Sequence, residues 1–280
     1  MQQPSGAFAP VPTPLGDDLT FDPAAQTAHL RWLASKGLDG ALVLGTNGEF
    51  PSLSLEERQV VASSAVAADS GLQLMLGVGS CALPEVVAML DVAANGGYGS
   101  VLCPPPFYFR AAPVEGLAEF FKHILDRSSL PVLLYHIPQV TGVPISDELL
   151  DLIGPHDRLA GVKDSSGDRA ELQRLMERFS DGAYFVGNDQ LVRSCIEAGG
   201  RGSITASASV APRLVRAVQM GEAEQEMLDR VRVLLEEYGL GPAVKEILKR
   251  KGLGVFATRP PLRELESERA DELWDRVSQL

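Results

Sequence analysis

The chain is poor in the residues that build disulfide frameworks and metal centres. Its 280 residues hold 3 cysteines and 4 histidines. Cys81, Cys103 and Cys195 lie far apart with no C-x-x-C pair. That sparse, odd count fits a reducing compartment and excludes a stapled scaffold. Cys103 and Cys195 read as small core residues. His29, His123, His136 and His156 form no H-E-x-x-H or other ligand spacing, so no metal is expected. Cationic surface is also scarce: 25 Lys and Arg face 37 Asp and Glu, for a net charge of −12. The densest basic run, Lys249-Arg250-Lys251, suits the last turn of a helix, and a nucleic-acid partner is not expected. No apolar run approaches the roughly 20 residues of a membrane span. Residues 1–9 have neither a basic nor an apolar leader region, so the chain is expected in the cytoplasm, off the membrane. G-x-S-x-G and Walker sequences are missing, which removes the serine hydrolase and P-loop readings.

What the chain does have is a repeating pattern in which a short apolar run meets a polar or glycine-rich loop and then a helical stretch. The runs cover residues 7–11, 40–44, 73–78, 100–103, 132–135, 160–162, 183–186 and 203–205. They carry little polar alternation, as parallel strands buried on both faces do. Helix starts stand between them: Asp22-Pro23, Ser54 with Glu57, Ser146, Asp168 with Glu171, and Pro212. Eight such units in this length predict an α/β protein, a (β/α)8 TIM barrel over residues 1–221. From 222 on the pattern is helix only, at 222–238, 242–251 and 263–280. This stretch is expected to be a C-terminal helical extension packed on the barrel within the same domain.

In such a barrel the chemistry gathers at the carboxyl ends of the strands. Thr46 and Asn47 follow the second strand, Phe107 and Tyr108 the fourth, Tyr135 ends the fifth, Lys163 ends the sixth, Gly187 and Asn188 follow the seventh, and Ile204 and Thr205 lie on the eighth. Burial at a strand end disfavours an ammonium, and a neutral amine is a nucleophile toward carbonyls, forming an imine that draws electrons. Position alone leaves Lys163 equally readable as a lysine reaching to a surface carboxylate such as Asp164. Tyr135 can shuttle protons if a hydroxyl holds it, with Thr46 the natural partner, or it can be a core tyrosine. Gly45-Thr46-Asn47-Gly48-Glu49 can turn backbone amides toward a carboxylate, or can be a tight strand-to-helix turn.

These residues fall into motifs. They are Gly45-Thr46-Asn47-Gly48-Glu49 with Leu53-Ser54-x-x-Glu57-Arg58, Pro106-Phe107-Tyr108, Tyr135-His136-Ile137-Pro138-Gln139-Val140-Thr141-Gly142, Gly161-Val162-Lys163-Asp164-Ser165-Ser166-Gly167-Asp168, and Gly202-Ser203-Ile204. In this order and at these strand ends, the chain resembles the dihydrodipicolinate synthase/N-acetylneuraminate lyase family of class I pyruvate-dependent aldolases, from Gly6 to about Leu262. The resemblance implies that Lys163 forms an imine with pyruvate or another 2-oxo acid, without metal or organic cofactor. It implies that Tyr135 is the general acid/base, assisted through Thr46 by Tyr108, which in family dimers reaches in from the neighbouring subunit. A homodimer or homotetramer is therefore expected. Thr46 and Asn47 would hold the pyruvyl carboxylate through main-chain amides, Ser165 would contact substrate beside the lysine, and the Ile204 carbonyl would face it.

The synthases carry arginine in Y-N-x-P-x-R-T-G where this chain has Val140. The strings G-T-N-G-E-F-P and V-K-D-S-S-G-D are closer to 4-hydroxy-2-oxoglutarate and 2-keto-3-deoxy-sugar-acid aldolases. The expectation is a lyase that cleaves or forms a 4-hydroxy-2-oxo acid, with Arg110 the candidate to meet a distal anion. The alternatives are a synthase or dehydratase of the same family and, from another class, a regulator that binds a 2-oxo acid without turnover.

Overall fold

The computed structural model describes residues 3–279, so Met1, Gln2 and the last residue of the third expected C-terminal helix fall outside it. Eight parallel strands close into a barrel in sequence order. They are β1 (Gly6–Pro10), β2 (Gly40–Val43), β3 (Gln73–Gly77), β4 (Ser100–Cys103), β5 (Val132–His136), β6 (Leu159–Asp164), β7 (Ala183–Val186) and β8 (Gly202–Ile204). The helices are α1 (Pro23–Ser35), α2 (Leu55–Ala67), α3 (Leu83–Gly96), α4 (Val114–Arg127), α5 (Pro138–Thr141), α6 (Asp147–Ile153), α7 (Arg169–Arg178), α8 (Val192–Glu197), α9 (Pro212–Gln219), α10 (Gln225–Glu237), α11 (Leu240–Arg250) and α12 (Ser267–Val277). All eight strands stand where the apolar runs lie.

Side-chain alternation divides the core into two layers. Phe8, Leu42, Met75, Leu102, Leu133, Ala160, Ala183, Phe185 and Ile204 point inward and fill the barrel, with Phe8 and Phe185 edge to face at 5.5 Å. The opposite faces of the strands, among them Ala7, Val43, Val101, Val132, Leu134 and Val162, pack on the surrounding helices. A fully buried leucine contributes roughly 1.5–3 kcal/mol, so this double layer dominates the stability. The C-terminal helices form a third cluster, in which Leu234, Leu235, Val244, Ile247, Leu248 and Leu273 pack with Ala25, Ala206 and Val210 of the barrel segment.

Local signals are mostly obeyed. Asp22 accepts from the amides of Ala24 and Ala25, Ser54 and Glu57 form a reciprocal box, and Ser146 accepts from Leu149. The second expected box does not form. Asp168 caps Ala170, but Glu171 turns away to Arg174 at 2.7 Å and lies 3.2 Å from Nε2 of His136, because a guanidinium makes a stronger, charge-assisted bond than a single backbone amide. The last helix begins at Ser267 and not at 263. Before it, Leu265 packs on the C-terminal cluster and Glu266 is extended. Further upstream the Ala257 amide donates to Leu15 O, and Arg259 donates to the carbonyls of Leu19 and Ser52.

Candidate active site

β6 runs one residue past Lys163, to Asp164. Lys163 pairs with Tyr135 of β5 and with Phe185 of β7. Alternation then sends Lys163 into the barrel and Asp164 out of it. Asp164 accepts from the Tyr184 hydroxyl at 2.8 Å and from the Ser166 amide at 2.8 Å. The lysine is therefore not reaching for its neighbour's carboxylate. It is 3% exposed, at a cavity of about 420 Å³.

One hydroxyl meets its amine, and two more meet that hydroxyl. Lys163 Nζ lies 3.3 Å from the Tyr135 hydroxyl and 4.4 Å from the centre of its ring. The same phenol oxygen is 3.4 Å from Thr46 Oγ1 and 3.4 Å from Ser165 Oγ. Burial alone would push the Tyr135 phenol up; the adjacent Lys163 charge and the bonds from Ser165, Thr46 and Lys163 outweigh it, and the phenol sits below the usual tyrosine value. Ser165 is fixed from two sides. Gln139 Nε2 donates to its carbonyl at 2.6 Å. Gly187 faces its hydroxyl so closely that a Cβ there would stand 1.9 Å from Oγ, so only glycine leaves room.

Thr46 and Asn47 sit on the turn after β2. The Gly48 amide donates to Gly45 O and the Glu49 amide to Thr46 O, each at 3.0 Å. The amides of Thr46 and Asn47 precede the first bonded amide of this single helical turn and have no partner within it. The Asn47 side-chain amide nitrogen is buried without a partner, and both residues line the cavity. Thr13 Oγ1 steadies the turn by donating to Gly48 O at 2.6 Å.

Of the residues expected from the sequence, the fold brings together Lys163, Tyr135, Thr46, Asn47, Ser165 and Ile204 around one cavity. Tyr108 and Arg110 are not among its lining residues. Tyr108 is 80% exposed, beside the exposed Phe109, and Arg110 is an exposed residue lying against Gly142. Val140, at the place of the synthases' arginine, is half exposed on the cavity wall. Asn188, which follows the seventh strand, also lines the cavity, and sequence reasoning missed a further group: Gln139, and the α10 residues Arg232 and Glu236 with Leu240. Arg232 is bound to the fully buried Asp189 at 3.3 Å and to Glu236 at 2.6 Å. An i,i+4 Arg/Glu pair on an amphipathic helix looks like ordinary surface charge, and no sequence signal distinguishes the one that folds back over a barrel mouth.

Comparison with known proteins gives the same fold and one family. The profile of the dihydrodipicolinate synthetase family matches residues 3–280. An uncharacterised DapA-like lyase of Chloroflexus aurantiacus is 36% identical over 283 residues, which span 96% of this chain and 94% of that one. A probable 2-dehydro-3-deoxy-D-pentonate aldolase of Escherichia coli K12, YjhH, is 30% identical over 76% of this chain and 73% of its own. The crystal structure of YagE, a prophage protein of the dihydrodipicolinic acid synthase family from E. coli K12 in complex with pyruvate, has the same fold. Its TM-score is 0.91 at 24% identity, covering 98% of each chain.

Proposed function

Because this chain belongs to the dihydrodipicolinate synthetase family, and is thereby a lyase of the class I aldolase type, we propose that it cleaves or forms a 4-hydroxy-2-oxo acid with pyruvate as one partner. The observation that carries this reading is the buried Lys163 amine 3.3 Å from a phenol that two further hydroxyls hold. A nucleophile with an acid/base beside it is what imine chemistry on a carbonyl needs.

In cleavage, the amine of Lys163 adds to the C2 carbonyl and water leaves, giving a protonated imine. Tyr135 takes the proton of the C4 hydroxyl. The C3–C4 bond breaks, its electron pair moves to the imine nitrogen as an enamine, and the aldehyde departs. Protonation at C3 and hydrolysis release pyruvate and restore the lysine. Thr46 and Asn47 hold the carboxylate, Ser165 and the Ile204 carbonyl flank the lysine, and the protein needs no metal or organic cofactor for these steps. We assign the active form to a homodimer or homotetramer in the cytoplasm, with Tyr108 completing a neighbouring subunit's proton path. Residues 1–221 form the catalytic barrel, and 222–280 act as part of the same domain.

The relative named as a 2-dehydro-3-deoxy-pentonate aldolase supports an unbranched sugar-acid substrate over aspartate semialdehyde, as does Val140. Arg110 meets a distal anion only if its loop swings across the mouth. Pyruvate release from a panel of 4-hydroxy-2-oxo acids, together with borohydride trapping of pyruvate on the enzyme, tests the reading. The expected result is a reduced pyruvyl adduct on Lys163 and turnover of at least one panel member. An unmodified Lys163, or full activity in Lys163→Ala, overturns it.

A further inference from the structure

Glu49 is a buried acid that the chemistry above does not use. It closes the Gly45–Glu49 turn, and its Oε1 lies 2.6 Å from Nζ of Lys245 on α11, with both side chains almost fully enclosed. Lys245 also donates to the Ala257 carbonyl at 2.9 Å. The Glu49 backbone is left-handed, at φ 53° and ψ 33°. A non-glycine residue there costs on the order of 1 kcal/mol and persists only where its surroundings hold it. Its amide donates to Thr46 O and its carbonyl accepts from the Ser52 amide at 2.8 Å. The whole turn from Thr46 to Ser52 therefore pivots on this residue.

A second tie runs parallel to the first. Arg259 grips both oxygens of Glu57, at 2.8 and 2.5 Å, and donates to Ser52 O at 3.0 Å. The far end of the turn is thus anchored by the same C-terminal stretch. A buried ion pair adds little net stability compared with an apolar pair of the same volume. What it adds is a fixed direction and distance between two segments.

We propose that the Glu49–Lys245 pair is a positioning device: through it the C-terminal helices set the placement of Thr46 and Asn47 at the carboxylate end of the cavity. The inference rests on the reading that these two residues hold the carboxylate of a 2-oxo acid. Loosening the pair then weakens carboxylate binding without touching the lysine or the phenol.

Borohydride trapping on Lys163 reads this directly, with pyruvate compared against methyl pyruvate, whose ester carries no charge. In Glu49→Gln and Lys245→Met the half-saturating pyruvate concentration is expected to rise about tenfold, the worth of one charge-assisted hydrogen bond. The maximal trapping rate should stay within about threefold, and the methyl pyruvate curve should not move. Removing one partner leaves a buried charge unpaired and risks unfolding. The double variant Glu49→Gln/Lys245→Met leaves none and is expected to fold with the same pyruvate-specific shift. Equal shifts for both ligands, or no shift in the folded double variant, overturn the positioning role alone. A wild-type Lys163 that takes no adduct overturns the functional reading, and this role with it.

Discussion

At the scale of single residues, the Tyr135 hydroxyl is the junction of the site, within 3.4 Å of Lys163, Thr46 and Ser165. Tyr135→Phe keeps the ring and removes only the proton carrier, so turnover should fall on the order of 10²–10⁴ in a steady-state assay. The held-down phenol also fixes the sign of a pH effect. As base in cleavage Tyr135 must be ionised, so the rate should rise with pH along a limb lying below the ordinary tyrosine value. Ser165→Ala removes one of the bonds favouring the phenolate and should move that limb upward; a pH–rate profile that does not respond contradicts the assignment. Val140 sets the second residue-scale prediction. A carboxylate left without its arginine forfeits several kcal/mol, and a loss of roughly 3 kcal/mol is about 100-fold. Condensation of pyruvate with aspartate semialdehyde should be poor, and efficient condensation with no 4-hydroxy-2-oxo acid cleaved would refute the substrate choice. Lys163, Tyr135, Thr46, Asn47 and Ile204 were legible in the sequence because strand ends in a barrel are readable as positions, and Ser165 came with the family resemblance. Arg232 and Glu236 were not, since their place depends on how a distant helix folds back.

Elements decide which way those residues point. β5 and β6 pair in register from Leu133↔Gly161 to His136↔Asp164, with a shift between Val132 and Leu133 that leaves Ala160 as one extra residue on β6. A bulge of this kind changes the facing of everything after it. Gly161 makes it possible: a Cβ there would stand 1.9 Å from Ala183 O. Deleting Ala160 should turn Lys163 out of the barrel and abolish imine trapping, while the strand itself can still pair. A four-to-eight-residue apolar run betrays a strand but not a bulge inside it. Helix α1 yields a stability prediction. His29 on α1 is wholly buried, its Nε2 3.0 Å from Ser209 O, and burial pushes it down from 6.5 to about 4. Between those values the unfolded chain binds a proton that the folded chain refuses. Stability is therefore complete above about 6.5 and falls as pH drops toward 4, by up to about 3 kcal/mol. Melting temperatures across that range should decline in the wild type and decline less in His29→Gln.

For the whole molecule, the loop after β4 is the part that an isolated chain leaves unexplained. Tyr108 is 80% and Phe109 54% exposed, stacked edge to face at 5.5 Å, and Phe107 meets Phe50, just after the β2 turn, at 6.0 Å. An exposed pair of aromatics suits the proposed contact with a neighbouring subunit. If Tyr108 serves a neighbour, mixing inactive Lys163→Ala with Tyr108→Phe under subunit exchange should restore part of the activity. Mixed oligomers that form without rescue would mean that each site is self-contained. The sequence could carry the barrel to this point because closure follows from eight units in order. It was less able to carry the C-terminal stretch, whose last helix starts at Ser267 and in which Arg259 and Ala257 are engaged with Leu19 and Leu15.

That engagement sets an order of events during synthesis. The eight strands are complete by Ile204, yet the cavity wall waits for Arg232, Glu236 and Leu240, and its carboxylate turn waits for Lys245 and Arg259. A chain still on the ribosome, with those residues held in the exit tunnel, has all eight strands but lacks the side chains that finish the mouth.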